Sequence, residues 1–197
     1  MIKTFSIVVL LITLFNFGSF AEEIQAFNFT KEEFDNLTVR KIKKKTKYTL
    51  GSNENGNFLK AEAEGQASGL GKEILIDLNK TPFLNITWKV EKDLSGIDEK
   101  SKKGHDYAAR VFVIKKTGST ALSNRAINYV FSSNEEIGQY WRSPFTKKSI
   151  DYVLATTKTN NNEWVTVKTN VKKDFKKLHD LDAVSYTHLR AHETPEH

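Results

Sequence analysis

Four residues carry the most chemical promise in this chain: Asp106, Arg110, Asn128 and Trp141. Asp106 and Arg110 belong to the run His105-Asp106-Tyr107-Ala108-Ala109-Arg110-Val111-Phe112-Val113. Read as a strand, it puts Asp106, Ala108, Arg110 and Phe112 on one face and Tyr107, Ala109, Val111 and Val113 on the other. In the run Ala126-Ile127-Asn128-Tyr129-Val130-Phe131, the core set is Ile127, Tyr129 and Phe131, which leaves Ala126, Asn128 and Val130 opposite. If both strands lie in one sheet, Asp106, Arg110 and Asn128 converge on a face floored by the small Ala108 and Ala126. Arg offers a planar fork for carboxylate or vicinal hydroxyl oxygens, and Asn both donates and accepts. Trp141 adds a stacking surface for a sugar ring. This is the chemistry of a site for a glycan or small polar ligand. The competing reading of Asp106 and Arg110 is an ion pair that serves packing or register. Trp88, Tyr129 and Trp164 read as core.

No catalytic constellation is complete. A glycosidase needs two facing carboxyls, and only Asp106 sits on the candidate face. A Ser-His-Asp triad would have to use His105 or His179, and no nucleophile motif surrounds any serine. Phosphate-binding and dinucleotide-binding glycine loops are missing. The chain has no cysteine, so it has no disulfide, thiol nucleophile or thiolate metal site. His188 and His192 stand four apart beside Glu193, as zinc ligands on a helix do. They fall in a segment, from Ser185 on, that resembles a translated sequencing adapter. No catalytic residue, metal or cofactor is therefore expected.

The elements that would position these residues are mostly strands. Val39–Lys45, Phe58–Ala63, Glu73–Leu78, Leu84–Val90, Ala108–Ile114, Ala126–Phe131, Ile150–Thr157 and Trp164–Thr169 alternate or are rich in β-branched and aromatic residues. Asn-rich turns at residues 53–57 and 160–162 punctuate them. Only Lys31–Asn36 and Val171–His179 read as helices, the latter with Val171, Phe175 and Leu178 at i, i+4 and i+7. The expectation is an all-β domain: an antiparallel β-sandwich, jelly-roll-like, with one or two short helices. The charged segment 91–104 is a long loop, of a kind that is often functional or mobile.

The 197 residues are 39% hydrophobic, enough for one domain, with 30 Lys+Arg against 24 Asp+Glu and a net charge of +6. This balance excludes collagen-like, low-complexity and disordered classes. Lys3, an apolar run over residues 5–17 and the small Ser19 and Ala21 predict a signal peptide over 1–21. The run is shorter than the roughly 20 apolar residues of a spanning helix. The expected organisation is a signal peptide (1–21), one β-sandwich domain (22–184) and a non-native tail (185–197). The basic runs at 41–47 and 172–177 read as solvated surface, with at most a weak attraction to anionic envelope polymers. Nucleic acid is not an expected partner, nor is an integral membrane segment after cleavage; oligomeric state stays open.

Several motifs occur in a distinctive order: His105–Val113, Ala126–Phe131, Trp141 with Ser143-Pro144-Phe145-Thr146, and Trp164 with Asn170-Val171 and Asp174-Phe175. Together they resemble the bacterial domain-of-unknown-function family 3047. The resemblance implies a secreted or periplasmic single-domain protein and no particular reaction. It also implies a further strand and an Asp-rich turn beyond the position of Val184, so the domain is expected to be truncated there. The functional expectation is non-covalent binding of an envelope or extracellular glycan or other polar ligand. The alternatives are a hydrolase or lyase on such a polysaccharide and a structural envelope component. Mass spectrometry of the exported protein should find an N-terminus at Glu22; Met1 retained in the membrane fraction would contradict it.

Overall fold

The structure is a computed structural model that describes residues 23–120 and 123–193. The expected signal peptide lies outside the described residues. In chain order the elements are α1 (Lys31–Asn36), β1 (Thr38–Lys43), β2 (Lys47–Asn53), β3 (Gly56–Glu62), β4 (Ala67–Asp77), β5 (Phe83–Trp88) and β6 (Ala109–Lys115). They continue as β7 (Arg125–Ser132), β8 (Tyr140–Arg142), β9 (Ser149–Thr156), β10 (Val165–Asn170), α2 (Val171–His179) and β11 (Ser185–Glu193). The described residues are mostly β with two helices, and both helices have the expected bounds. β2, β8 and β11 are not among the expected strands.

One seven-stranded sheet runs in the order β1-β4-β11-β6-β7-β9-β8. Its pairings are antiparallel except for the central β7–β9 pair, which is parallel. One face of this sheet carries Val113, Ile127, Tyr129, Phe131, Ile150 and Ala155 into the main core. Opposite them pack the β5–β10 ribbon, through Ile86 and Trp88, and α2, through Val171, Phe175 and Leu178. Full burial of each such large side chain contributes roughly 1.5–3 kcal/mol. The layered, largely antiparallel architecture matches the sandwich expectation. The jelly-roll connection is not established by the strand order, because the layer opposite the sheet is a two-stranded ribbon with a helix. β2 and β3 form a separate hairpin, closed at Gly56, whose φ of 117° favours a residue without a side chain.

α2 is bounded by ordinary capping chemistry. The Asn170 side chain accepts from the Lys173 amide at 3.0 Å, and Asp180 ends the helix in the left-handed region. Its apolar stripe is tied to the sheet by one buried polar group. Asp174 Oδ2 accepts from the Tyr129 hydroxyl at 2.8 Å and from the Thr169 hydroxyl at 2.5 Å.

β11 occupies the slot between β4 and β6, paired with β4 from Ser185↔Asp77 to Glu193↔Ser68 and with β6 from His188↔Ile114 to His192↔Arg110. The segment that resembles a translated adapter thus fills the slot between β4 and β6. Ladder hydrogen bonds join backbone groups, which nearly every residue type supplies alike.

Burial, and then the Asp174 carboxylate, hold the Tyr129 phenol well above its ordinary value. Its contribution is therefore complete below about pH 10, where the unfolded tyrosine still keeps its proton. Above that, stability falls by up to about 1.4 kcal/mol per pH unit as only the unfolded chain deprotonates. Tyr129→Phe should lessen this alkaline slope while costing about 1 kcal/mol at neutral pH. Urea unfolding between pH 8 and 11 measures both.

Candidate functional site

The second face of the sheet is built by register. Phe112 pairs with Asn128, Asn128 with Asp151, and Asp151 with Trp141, so one row crosses β6, β7, β9 and β8. Directly paired residues project to the same side. The next row holds Arg110 beside Val130 and Val130 beside Val153. An irregularity between Val130 and Phe131 then shifts the pairing so that Phe131 meets Ala155. The extra residue at this bulge turns Ala155, which strict alternation would put on the face of Asp151 and Val153, to the opposite side. Asp151 and Val153 face one side while Ala155 joins the main core.

Asp151 is wholly buried and its two oxygens are bound separately. Oδ1 accepts from Asn128 Nδ2 at 2.6 Å, and Oδ2 lies 2.8 Å from His105 Nε2, which donates to it. Asn128 Nδ2 also reaches the Ser149 hydroxyl at 2.8 Å, and Asn128 Oδ1 finds no hydrogen-bond partner among the described residues. The His105 ring meets the edges of Tyr107 and Phe145 at centroid distances of 5.2 and 5.3 Å. Tyr107 packs with Val130, Val153 and Trp141 in a small second core. Burial raises the Tyr107 phenol far above its ordinary range; the Asp151 charge adds to this and Arg110 opposes it. Arg110 stands 5.0 Å from the ring centroids of both Tyr107 and Phe112, a cation between two aromatic faces.

The loop that covers this face is anchored rather than mobile. Glu99 is wholly buried, and its carboxylate accepts from the Ser132 hydroxyl (2.5 Å), the Ser133 and Asn134 amides (2.9 and 3.2 Å) and Asn134 Nδ2 (3.0 Å). Leu94 and Gly96 donate their amides to Ser133 Oγ and Asn134 Oδ1 at 2.8 and 2.7 Å. Gly104 allows the chain to double back: a Cβ there would stand 2.4 Å from the Asp98 carbonyl oxygen. The loop then delivers His105 onto Asp151.

The structure brings Arg110 and Asn128 onto one face as expected, and Trp141 beside them. Asp106 lies in the loop before β6 rather than within the strand; its Oδ1 accepts from the Tyr107 amide at 3.1 Å. Asp106, Arg110 and Asn128 are all nearly inaccessible, and the guanidinium is bracketed by aromatic rings instead of facing an open cleft. Only Trp141 reaches the surface. It lines an open depression of about 340 Å³ with Lys100, Gly138, Gln139 and Tyr140. Lys100 sits 5.2 Å from the Trp141 ring centroid and pairs with Glu135 at 2.8 Å. Sequence reasoning missed Asp151, Ser149 and Glu99. In the sequence His105 reads only as a triad base without a partner, because nothing there aligns Asp151 with Asn128.

Together these features define a β-rich domain with a buried polar cluster behind an aromatic rim. Residues 32–190 match the family described as "Protein of unknown function (DUF3047)", and the chain belongs to that family. The match extends into the segment from Ser185 on. Comparison with curated proteins finds no match. Among the described residues no cluster of three or more His, Asp or Glu side chains could hold a metal ion. No helix there is long and apolar enough to cross a membrane.

Glu99→Ala would leave the buried Ser133 amide and the buried Ser132 hydroxyl without their acceptor. The expected cost is at least about 2–4 kcal/mol, read from urea unfolding. Amide exchange should accelerate over residues 94–105 more than over α2, a pattern that uniform destabilisation would not produce.

Proposed function

We propose that this protein is an exported module that binds a glycan at the depression bordered by Trp141. The single observation that carries the reading is that the partly buried Trp141 lines an open depression with Gln139, Tyr140 and Lys100. A sugar ring presents apolar C–H faces and a fringe of hydroxyls. An indole suits the first, and an amide with an ammonium group suits the second. The buried His105–Asp151–Asn128 chain then acts as support, since it fixes β9 against β7 and the covering loop, and with them the pose of Trp141. Preorganisation of this kind limits the entropy lost on binding.

One feature favours a second reading, a hydrolase or lyase acting on the same polymer. With Nε2–H held by Asp151, a neutral His105 keeps Nδ1 as an acceptor, which is the arrangement of an oriented general base. The two readings divide over turnover. Calorimetric titration against a panel of envelope polysaccharides should show binding that Trp141→Ala weakens about tenfold or more, the effect of losing one central aromatic contact of ~1.4 kcal/mol or above. Unchanged affinity in a folded Trp141→Ala variant would falsify the site. If the wild type also shortens the bound polymer and His105→Asn binds without cleaving, the enzymatic reading replaces the binding one.

A further inference from the structure

We infer that β1 and the corner following it form a second site, for a linear anionic polysaccharide. From Arg40 to Lys47 the chain carries Arg40, Lys41, Lys43, Lys44, Lys45 and Lys47 and no acidic residue. These six positive charges equal the net +6 of the whole chain, so the remainder of the sequence balances to zero. All six side chains are exposed, as is Ile42 among them. Lys47 pairs with Glu62 at 2.9 Å, whereas the other five form no salt bridge among the described residues. Their neighbours on β4, from Ala67 to Leu70, are uncharged. The field at this edge is therefore not neutralised locally.

The array is also held in place. Among the described residues β1 is the outermost strand of the sheet, paired only with β4. Its register shifts between Lys41 and Lys43, and Lys44 takes a left-handed φ of 59°. Thr46 is buried, its amide donating to Ser68 Oγ at 3.0 Å, and the Tyr48 hydroxyl donates to the Ser68 carbonyl at 2.6 Å. The backbone of the corner is thus fixed before any ligand arrives. A lysine or two suffices to keep an edge strand from pairing with another chain, and this edge carries far more.

Geometry narrows the partner. Successive residues of a strand point to opposite sides of the sheet, and alternate ones stand roughly 6.8 Å apart. Arg40 and Lys41 therefore straddle the edge, which makes a line of charge rather than a plane. A line fits a polymer laid along it, while a flat bilayer would meet only one side. No aromatic residue interrupts Arg40–Lys47 to stack nucleobases. The site is remote from Trp141 on β8, because β1 and β8 are opposite edges of the seven-stranded sheet. Six strand spacings separate them, on the order of 30 Å.

The test uses a polyuronate oligosaccharide, single-stranded DNA of similar length, and vesicles of phosphatidylglycerol with phosphatidylcholine. The intact protein should bind the polyuronate most tightly, and raising salt from 50 to 200 mM should weaken binding on the order of tenfold or more. The exposed-site variant Lys41→Glu/Lys43→Glu/Lys45→Glu should lose at least about tenfold. The control Lys102→Glu/Lys103→Glu/Lys173→Glu changes net charge equally elsewhere and should stay within about twofold. Lys41→Gln/Lys43→Gln/Lys45→Gln, which adds no repulsion, should still lose binding if the glutamate variant folds poorly. Equal losses in the two glutamate triples, no polyuronate binding, or tighter binding to DNA or vesicles would each overturn the inference. Neutral glycans bound at Trp141 should be insensitive to the β1 variants, so the two sites succeed or fail separately.

Discussion

A carboxylate taken out of water must find donors for its oxygens, or the fold that buries it is penalised by several kcal/mol. Asp151 is such a group, and the donors it finds come from two distant parts of the chain, Asn128 on β7 and His105 at the end of the covering loop. Meeting that one requirement sets three things together. It locks the parallel register of β9 on β7, it closes the loop over the second face, and it leaves Tyr107 packed against Trp141. Glu99 performs the same service in the middle of the loop, again as a buried carboxylate supplied with donors. The apolar core on the opposite face holds the layers together but does not decide how the second face is arranged.

The two faces of the sheet accordingly follow different rules. On the core face, Tyr129, Thr169 and Asp174 form one small polar cluster within a largely hydrophobic layer. On the other, charged and aromatic groups alternate: Arg110 between Tyr107 and Phe112, Lys100 over Trp141. Low accessibility strengthens each of these contacts and also makes each costly to disrupt. Conservative changes at Asn128 or Arg110 would therefore report on the fold before they report on any ligand.

Much of this was legible from local pattern. Alternation located Ala126–Phe131 and its inward residues because one side of β7 is strongly apolar, and the i, i+4, i+7 spacing of Val171, Phe175 and Leu178 located α2. β8 was hidden because it is three residues long, and β2 because Gly51 and the polar residues around it blur its alternation. Placing Asp106 on the β6 face assumed that the strand begins earlier than Ala109. The central cluster was beyond reach for a different reason. A parallel pair between β7 and β9 has no short turn to announce it, and only that pairing reveals that Asp151 is the partner of both Asn128 and His105.

The place of β11 bears on how the molecule comes to be folded. Both of its neighbours, β4 and β6, precede it in the chain, β4 by more than a hundred residues. Until β11 arrives, the β1–β4 part and the β6–β9 part of the sheet have nothing between them to share. Pairings of such long sequence separation close large loops before any compensating contact forms, which slows the search for the native state. The full sheet thus cannot grow strand by strand in chain order, because its two parts join only once β11 is in place. While the slot stands empty, two unpaired strand edges face each other, which makes that interval the one in which the chain is most exposed to misassociation.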